Sequence, residues 1–178
     1  MKHLAWAGTA LVLLAGCASY VVPVQNYPAT AAGAAADVRD RTGFSKASAT
    51  ATRSGDGIRL QISASNMAPG AYGAHVHMTG RCDPPGFESA GGHWNPTNHQ
   101  HGKDSPHGMH KGDLPNMLIG ADGRGSMEVT IPQASIRGGT NPLLDADGAA
   151  LVLHAAADDY RTDPSGNSGV RIACGVFR

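Results

Sequence analysis

Short stretches in which apolar and polar residues alternate recur along the chain, for example at 58–62, 127–131 and 170–176. Successive side chains of a β-strand point to opposite faces, so this period of two predicts strands that bury one face. The continuous apolar run at 149–154 predicts an inner strand. No stretch of eleven residues has the apolar spacing of an amphipathic helix. The pattern therefore predicts an all-β fold, an antiparallel sandwich or barrel of several short strands.

Two long segments, 80–114 and 155–169, interrupt this pattern of strands. Connections of this length without a helix or strand of their own are uncommon in a compact domain and are usually functional or disordered. The two segments hold most of the histidines and several aspartates. We therefore expect functional side chains in these loops.

The composition supports a turn-rich β protein and argues against one class of partner. Glycine and proline, with 24 and 11 residues of 178, together make about one residue in five, whereas helical bundles are richer in Leu, Glu and Lys. Lys plus Arg and Asp plus Glu both number 14, so the formal net charge is zero. A nucleic-acid binder needs clustered Lys and Arg to contact phosphates, so we expect no nucleic-acid partner. The length is that of one domain.

The first residues predict an exported protein. A positively charged start precedes a mostly apolar stretch at 4–14, which is too short to span a bilayer as a helix. The ending Leu-Ala-Gly-Cys at 14–17 resembles a bacterial lipobox, where cleavage precedes a cysteine that receives lipid. We therefore expect residues 1–16 to be a lipoprotein signal peptide and Cys17 to carry a membrane anchor. The alternative is an ordinary signal peptide with a chance cysteine.

The residues after this cysteine bear on localisation and domain boundaries. The residue after the cysteine is Ala18 and not an acidic residue, which by resemblance to bacterial lipoproteins favours sorting to the outer membrane. We therefore expect the protein in the cell envelope, on the periplasmic face of the outer membrane in a cell that has one. Residues 17–40 are rich in alanine and contain two prolines, which predicts a flexible tether. Residues 41–178 are then the folded domain.

Three cysteines divide between two roles. With Cys17 as the anchor, Cys82 and Cys174 remain in an exported and therefore oxidising setting. The compartment predicts a disulfide between them, and two free buried thiols are the alternative.

Seven side chains together suggest two metal sites. His75 and His77 are one residue apart in a predicted strand, so both imidazoles project from one face, although two surface histidines would have the same spacing. Two four-coordinate metals need eight ligand atoms, so seven side chains suffice when one imidazole gives a nitrogen to each metal. Three imidazoles with one carboxylate suit tetrahedral zinc, whereas four imidazoles suit tetragonal copper(II). The seven side chains therefore predict a dinuclear Cu/Zn centre. The spacing of the residues does not identify which imidazole bridges the two metals. The other five candidates are His93, His101, His110, Asp113 and His154.

The candidate ligands lie within a series of motifs along the chain. These motifs are His75-Val76-His77, Gly80-Arg81-Cys82, Ala90-Gly91-Gly92-His93-Trp94-Asn95-Pro96, His101-Gly102, His110-Lys111-Gly112-Asp113-Leu114-Pro115, His154, Asp158-Asp159-Tyr160, Gly166-Asn167 and Arg171-Ile172-Ala173-Cys174-Gly175-Val176. In this order they resemble the motifs of the bacterial copper/zinc superoxide dismutases. The resemblance covers roughly residues 40–178 and implies an antiparallel Greek-key β-barrel or sandwich of about eight strands with two long functional loops.

The resemblance implies a role for each candidate ligand, position by position. His93 belongs to both implied ligand sets and would be the bridging imidazolate. The implied ligands are His75, His77, His93 and His154 for copper, and His93, His101, His110 and Asp113 for zinc.

The resemblance also implies an activity and the residues that support it. The reaction would convert two superoxide ions and two protons into oxygen and hydrogen peroxide, with His93 and Arg171 as catalytic residues. Arg171 matches an arginine that attracts and positions the anion, a role suited to a charged, forked guanidinium. Asp158 matches a carboxylate that links a copper histidine to a zinc histidine. Cys82 and Cys174 match the family disulfide.

Two other functions remain open beside the enzyme. One is an envelope lipoprotein that stores or delivers copper or zinc without turnover, and the other is a structural domain of the same fold that has lost its metals. Storage requires neither Arg171 nor Asp158, and no copper histidine is missing, so the enzyme is favoured. Family members occur as monomers and as dimers, so the resemblance leaves a homodimer open.

Four residues of the loops have no implied role as ligands. His99 and His107 are expected to be solvated, with an accessory metal site as the alternative. Lys103 and Lys111 are candidates for steering the anionic substrate, although a lysine in a loop is usually only solvated.

Overall fold

Nine β-strands and one short 3₁₀ turn form the regular structure of residues 33–178, which are the residues that this computed structural model describes. No α-helix lies in this part of the chain, so it has no helix that could cross a membrane. The prediction of an all-β fold is confirmed. The elements are β1 (Gly33–Asp40), β2 (Ser45–Ser54), β3 (Gly57–Ala64), β4 (Gly70–Tyr72), β5 (Ala74–His77), the 3₁₀ turn (Glu88–Ala90), β6 (Met117–Ile119), β7 (Gly125–Ile131), β8 (Ala150–His154) and β9 (Arg171–Val176).

Residues 33–40 form the first strand and do not belong to a tether. The side chains of Ala34, Ala36 and Val38 are buried and alternate with more exposed residues, and β1 pairs with β2 along nearly its whole length. The tether predicted up to residue 40 is therefore wrong for this segment, because its small apolar side chains pack against the neighbouring strand. The predicted signal peptide, Cys17 and the earlier part of the predicted tether lie outside the described residues.

Seven strands form one antiparallel sheet in the order β5-β8-β9-β1-β2-β3-β7. Strands β1, β2 and β3 follow one another through short turns. The chain then crosses from β3 to β5 at the opposite edge of the sheet, returns to β7 beside β3, and crosses again to β8 beside β5, which is a Greek-key type of connection. The two edge strands are linked by the small sheet of β4 and β6, because β4 runs into β5 across Gly73 and β6 turns back into β7 at 120–124. The sheet therefore curls into a barrel, as predicted.

The interior of the barrel is filled by the inward faces of these strands. Ile58, Leu60 and Ile62 of β3 are at most 1% exposed, and Leu151 and Leu153 of β8 are fully buried. They belong to one apolar cluster that extends across the sheet. Burial of apolar surface contributes about 25 cal/mol per Å², so this cluster is the main source of stability for the frame that holds the functional loops.

Two long connections carry little regular structure, as predicted. They are residues 78–116 between β5 and β6, and residues 155–170 between β8 and β9. A third irregular connection, residues 132–149 between β7 and β8, was not predicted. It buries Leu143 and Leu144 in the core, so part of the interior is closed by a segment that has no strand or helix period.

A disulfide joins Cys82, in the first long connection, to Cys174 on β9. The predicted pairing of these cysteines is confirmed. The two residues are 92 positions apart, so in the chain-entropy model the bond contributes about 4–5 kcal/mol to stability. It ties the connection that carries His93 to the strand that begins with Arg171.

Candidate metal centre

Strand β5 has one face in the core and the other toward the long connections. Val76 is fully buried in the apolar cluster, whereas His75 and His77 lie on the opposite face. His154 ends the neighbouring strand β8 at a shift in its register with β9, and His93 forms an isolated β-bridge with His77. The backbone thus brings four histidines from three segments together.

These four residues, His75, His77, His93 and His154, form a histidine group that could hold one metal ion. Their ligand nitrogens lie within 4.8 Å of one another, and all four residues are buried. Nδ1 of His75 and Nε2 of the other three have no hydrogen-bond partner in the protein. A buried polar atom without a partner is costly, and one metal ion would satisfy all four. Four imidazole nitrogens suit copper.

The opposite ring nitrogens of three of these histidines are fixed by hydrogen bonds. Nδ1 of His77 donates to the Gly91 carbonyl at 2.9 Å, and Nδ1 of His154 donates to the Gly169 carbonyl at 3.1 Å. Nε2 of His75 lies 2.9 Å from a carboxylate oxygen of Asp158. Donation from one ring nitrogen leaves the lone pair on the other, so these bonds select the tautomer that can bind a metal.

A second set, the aspartate group, consists of His93, His101, His110 and Asp113. Oδ1 of Asp113 lies 2.8 Å from Nδ1 of His93, and 3.1 Å from Nδ1 of both His101 and His110. Oδ2 of Asp113 accepts the backbone N–H groups of Gly102 and His110 at 2.8 and 3.0 Å, which holds the loop around the carboxylate. One carboxylate with three imidazoles suits tetrahedral zinc.

His93 belongs to both groups. Its Nδ1 lies against Asp113, while its Nε2 is unpartnered among the other members of the histidine group. The groups adjoin closely: the ring centroids of His75 and His93 are 4.0 Å apart, and His75, His93, His101 and Asp113 also have ligand atoms within 4.8 Å of one another. One imidazole that uses both nitrogens can therefore join two metals, and copper and zinc both fit the donor sets.

Asp158 connects one member of each group. Its Oδ2 lies 2.9 Å from Nε2 of His75, and its Oδ1 lies 3.0 Å from Nε2 of His101. The side chains of all three residues are fully buried. Hydrogen bonds to a carboxylate are stronger than those between neutral groups, so Asp158 orients both rings at once.

Burial determines the protonation of the histidine group. Desolvation lowers the pKa of His75 to about 3, of His77 to about 2 and of His154 to about 4. These rings are therefore neutral near pH 7, and their lone pairs are available to a metal.

The aspartate group has the opposite electrostatics. Burial disfavours a charge on His101, but the adjacent carboxylates of Asp113 and Asp158 outweigh burial and raise its pKa to about 9. Burial also disfavours ionisation of the two carboxylates, but hydrogen bonds with the surrounding histidines hold the pKa of both Asp113 and Asp158 well below the usual range. The group thus contains a stable negative charge that attracts a divalent cation, which would compete with the proton on His101.

Arg171 begins β9 and lies beside the histidine group. Its Nη1 donates to the Phe87 carbonyl and its Nη2 to the Gly91 carbonyl, both at 2.7 Å. The same Gly91 carbonyl accepts a hydrogen bond from His77. Burial lowers the pKa of the Arg171 guanidinium, yet an arginine remains charged at neutral pH. The arrangement holds a fixed positive charge next to the candidate copper ligands.

The two spare histidines lie outside both groups. His99 and His107 are exposed, and Nδ1 of His99 donates to the Met109 carbonyl at 3.1 Å. Neither belongs to a metal-binding group within residues 33–178.

The two candidate steering lysines have other partners. Nζ of Lys111 donates to the Pro132 carbonyl at 2.8 Å. Nζ of Lys103 lies 3.7 Å from a carboxylate oxygen of Asp104 and 4.4 Å from the centroid of the Tyr160 ring. Neither set of contacts involves a member of the histidine group, in contrast to those of Arg171.

Sequence reasoning missed the groups that hold the ligands in place. These are the carbonyls of Gly91 and Gly169 and the side chain of Asn116, which hydrogen-bonds to the backbone of Asp158. Every residue has a carbonyl, so no residue type identifies the first two. For Asn116, the only indication in the sequence is its position directly after the motif that ends at Pro115 and directly before a strand.

The fold and the two joined donor sets define a metalloprotein with a dinuclear, histidine-rich centre. The family model described as copper/zinc superoxide dismutase (SODC) matches residues 43–177. The chain belongs to the copper/zinc superoxide dismutase family. This confirms the predicted family, and with it the enzyme class and the copper and zinc cofactors that the family defines.

Named relatives agree with this assignment. The superoxide dismutase-like protein YojM of Bacillus subtilis is 48% identical over 124 residues, which are 68% of this chain and 63% of that protein, so the match spans less than two thirds of YojM. The Cu-Zn superoxide dismutase 1 of Aquifex aeolicus is 41% identical over 145 residues, which are 80% of this chain and 86% of that protein. A crystal structure of a SOD-like protein from Bacillus subtilis matches with a TM-score of 0.76 and 43% identity, covering 80% of this chain and 96% of that one.

Proposed function

We propose that the protein disproportionates superoxide, converting two superoxide ions and two protons into oxygen and hydrogen peroxide. The observation that carries the proposal is the double role of His93, whose two ring nitrogens face two adjoining, buried donor sets. Bound copper supplies one-electron chemistry by alternating between two oxidation states, and bound zinc supplies a positive charge without redox chemistry.

His93 is suited to deliver a proton. Nε2 of this ring faces the histidine group without a hydrogen-bond partner in the protein, while Nδ1 is held by Asp113. Whenever Nε2 is not a ligand it is free to hold a proton, which it then gives to the departing peroxide. The aspartate group keeps the ring in place during this exchange.

Arg171 attracts and orients the anion. The Phe87 and Gly91 carbonyls each accept one N–H of the guanidinium, which leaves other donors of the fork for superoxide. Since the guanidinium is fixed before the anion arrives, little reorganisation accompanies binding.

Storage or delivery of copper or zinc in the envelope, without turnover, is the competing function. Storage needs metal ligands but no fixed cation beside them. The position of Arg171 next to His77 therefore favours the enzyme.

The test is superoxide consumption by the full chain loaded with copper and zinc. We expect fast removal that is lost in His154→Ala, because this variant removes one member of the histidine group. His107→Ala is the matched control, since it removes an exposed histidine outside both groups. Two bound metals without turnover would overturn the proposal and favour storage.

We also propose that lipid on Cys17 attaches the protein to the cell envelope, at the periplasmic face of the outer membrane in a cell that has one. The apolar stretch at 4–14 and the Leu-Ala-Gly-Cys ending support this. Mass spectrometry of the membrane-associated chain should find a mature protein that begins with a lipid-modified Cys17, and Cys17→Ala should leave the membrane fraction. A wild-type chain with an unmodified Cys17 would contradict the proposal.

A further inference from the structure

Asp158 orients a histidine of each group although it lies in a connection without regular structure. Its carboxylate bonds to His75 on β5 and to His101 in the other long connection. A carboxylate can hold two rings in fixed directions only if its own backbone is fixed. Residue 158 belongs to no strand, so something other than a sheet ladder must fix it.

Asn116 supplies hydrogen bonds to both backbone groups of Asp158. Nδ2 of Asn116 donates to the Asp158 carbonyl at 3.0 Å, and Oδ1 of Asn116 accepts the Asp158 N–H at 2.7 Å. One amide side chain thus makes the pair of bonds that a neighbouring strand would otherwise make. The two residues are 42 positions apart, so this pair also joins the two long connections.

Asn116 is itself held firmly. The next residue, Met117, begins β6 and is fully buried in the core. The backbone N–H of Asn116 donates to the Tyr160 hydroxyl at 2.8 Å, and the backbone N–H of Tyr160 donates to Oδ1 of Asp158 at 2.6 Å. A closed ring of hydrogen bonds through these residues therefore ties the carboxylate to a strand of the barrel.

The backbone of Gly166 closes another side of the carboxylate. A Cβ atom at residue 166 would overlap Oδ1 of Asp158 and would lie 2.7 Å from Nε2 of His101. The carboxylate therefore has little room to turn on this side. Its direction depends on where the Asp158 backbone is held, which is what the Asn116 side chain determines.

We propose that Asn116 is a positioning residue for the metal centre. It acts through Asp158 on the orientation of His75 and His101 together, and so couples the geometry of the copper site to the affinity of the zinc site. Asn116 has no hydrogen bond to a member of either group within the described structure. The inference rests on the proposed metal ligands and not on turnover, so metal binding tests it.

The experiment compares the full chain carrying Asn116→Ala, Asp158→Ala or both substitutions. It measures zinc affinity by competition with a chelator, and the copper(II) electron paramagnetic resonance spectrum of the copper-loaded chain. Partners that orient metal ligands typically contribute about 10- to 100-fold to metal affinity. We expect Asn116→Ala to weaken zinc binding about tenfold and Asp158→Ala by up to about 100-fold, with a changed copper spectrum in both.

The double variant distinguishes positioning from a merely structural role. If Asn116 acts through Asp158, the double variant should bind zinc as Asp158→Ala does, since the effects of residues that act in series are not additive. Additive losses would overturn the proposal. Unchanged zinc affinity and an unchanged copper spectrum in Asn116→Ala would overturn it as well.

Two further variants keep the test decisive. Asn141→Ala is the matched control, because the Asn141 amide also donates to a backbone carbonyl in a long connection, that of Gln133, and should leave zinc affinity unchanged. Asn116→Asp serves if the alanine variant does not fold: it can still accept the Asp158 N–H but cannot donate to its carbonyl, so zinc binding should again weaken. Zinc affinity as in wild type in a folded Asn116→Asp would overturn the proposal, whatever the superoxide assay shows.

Discussion

Replacing Arg171 with alanine should slow superoxide removal without releasing copper. The Gly91 carbonyl accepts hydrogen bonds from both Nη2 of Arg171 and Nδ1 of His77. Loss of the first bond leaves the second, so His77 keeps its tautomer and its orientation in the histidine group. The substitution therefore removes a charge from the site while the candidate copper ligands remain in place.

The size of the effect follows from the lost charge and the lost hydrogen bonds. A positive charge about 4 Å from a superoxide ion, as in a hydrogen-bonded pair, contributes about 4 kcal/mol at an effective dielectric constant of about 20, which corresponds to about a thousandfold in rate. Salt screening reduces this, so we expect a decrease of about 10- to 100-fold. The two bonds to Phe87 and Gly91 are half-buried and together contribute about 2 kcal/mol, which corresponds to a fall of about 4–8 °C in Tm.

The assay is superoxide removal over a range of ionic strength, with metal analysis of the same samples. The wild-type rate should fall with added salt, and the rate of Arg171→Ala should fall less steeply. Arg171→Lys keeps a charge but cannot serve both carbonyls in the same geometry, so it should retain part of the salt dependence. Loss of copper from Arg171→Ala, or a rate and salt dependence equal to those of wild type, would contradict the role proposed for Arg171.

Three other predictions concern the bridge, the disulfide and pH. His93→Ala should weaken both metal sites at once, because this ring belongs to both groups; an unperturbed zinc site with only copper affected would contradict the bridge. Joint replacement of Cys82 and Cys174 by serine should lower the free energy of unfolding by about 4–5 kcal/mol in urea titrations, and a loss below about 1 kcal/mol would be inconsistent with the loop that the bond closes. The metal-free protein should become less stable as the pH falls from 6.5 to 5, because burial depresses the pKa of His75, His77 and His154 in the folded state and the unfolded chain then binds more protons. This outweighs the smaller, opposite contribution of His101, whose pKa is raised in the folded state. Each of the histidines with a depressed pKa lowers the free energy of unfolding by about 1 kcal/mol per pH unit on average in that window, so a urea midpoint that does not change between pH 6.5 and 5 would count against their burial.

The strands could be predicted where large apolar side chains alternate with polar ones. Ile58, Leu60 and Ile62 belong to β3, and all three are buried as the period of two requires. β1 was missed because its buried side chains are mostly alanines, which give little hydrophobic contrast within an alanine-rich segment. The connection at 132–149 was missed because an irregular segment has no period to detect, even where it contributes to the core.

The candidate ligands could be predicted because imidazole and carboxylate side chains are chemically distinctive. What the sequence could not provide is the direction of each ring, which depends on partners such as the Gly91 carbonyl and the Asp158 carboxylate. The role of Asn116 could not be predicted from its surroundings in the chain. It arises from a pairing between positions that are distant in sequence and meet only after the barrel has formed.

The most direct test of the metal centre is anomalous X-ray diffraction from the protein loaded with copper and zinc, collected at the absorption edges of both metals. We expect copper within the histidine group and zinc within the aspartate group, each about 2.0–2.1 Å from a different ring nitrogen of His93. A single metal site, or two metals of which only one is bound by His93, would contradict this expectation.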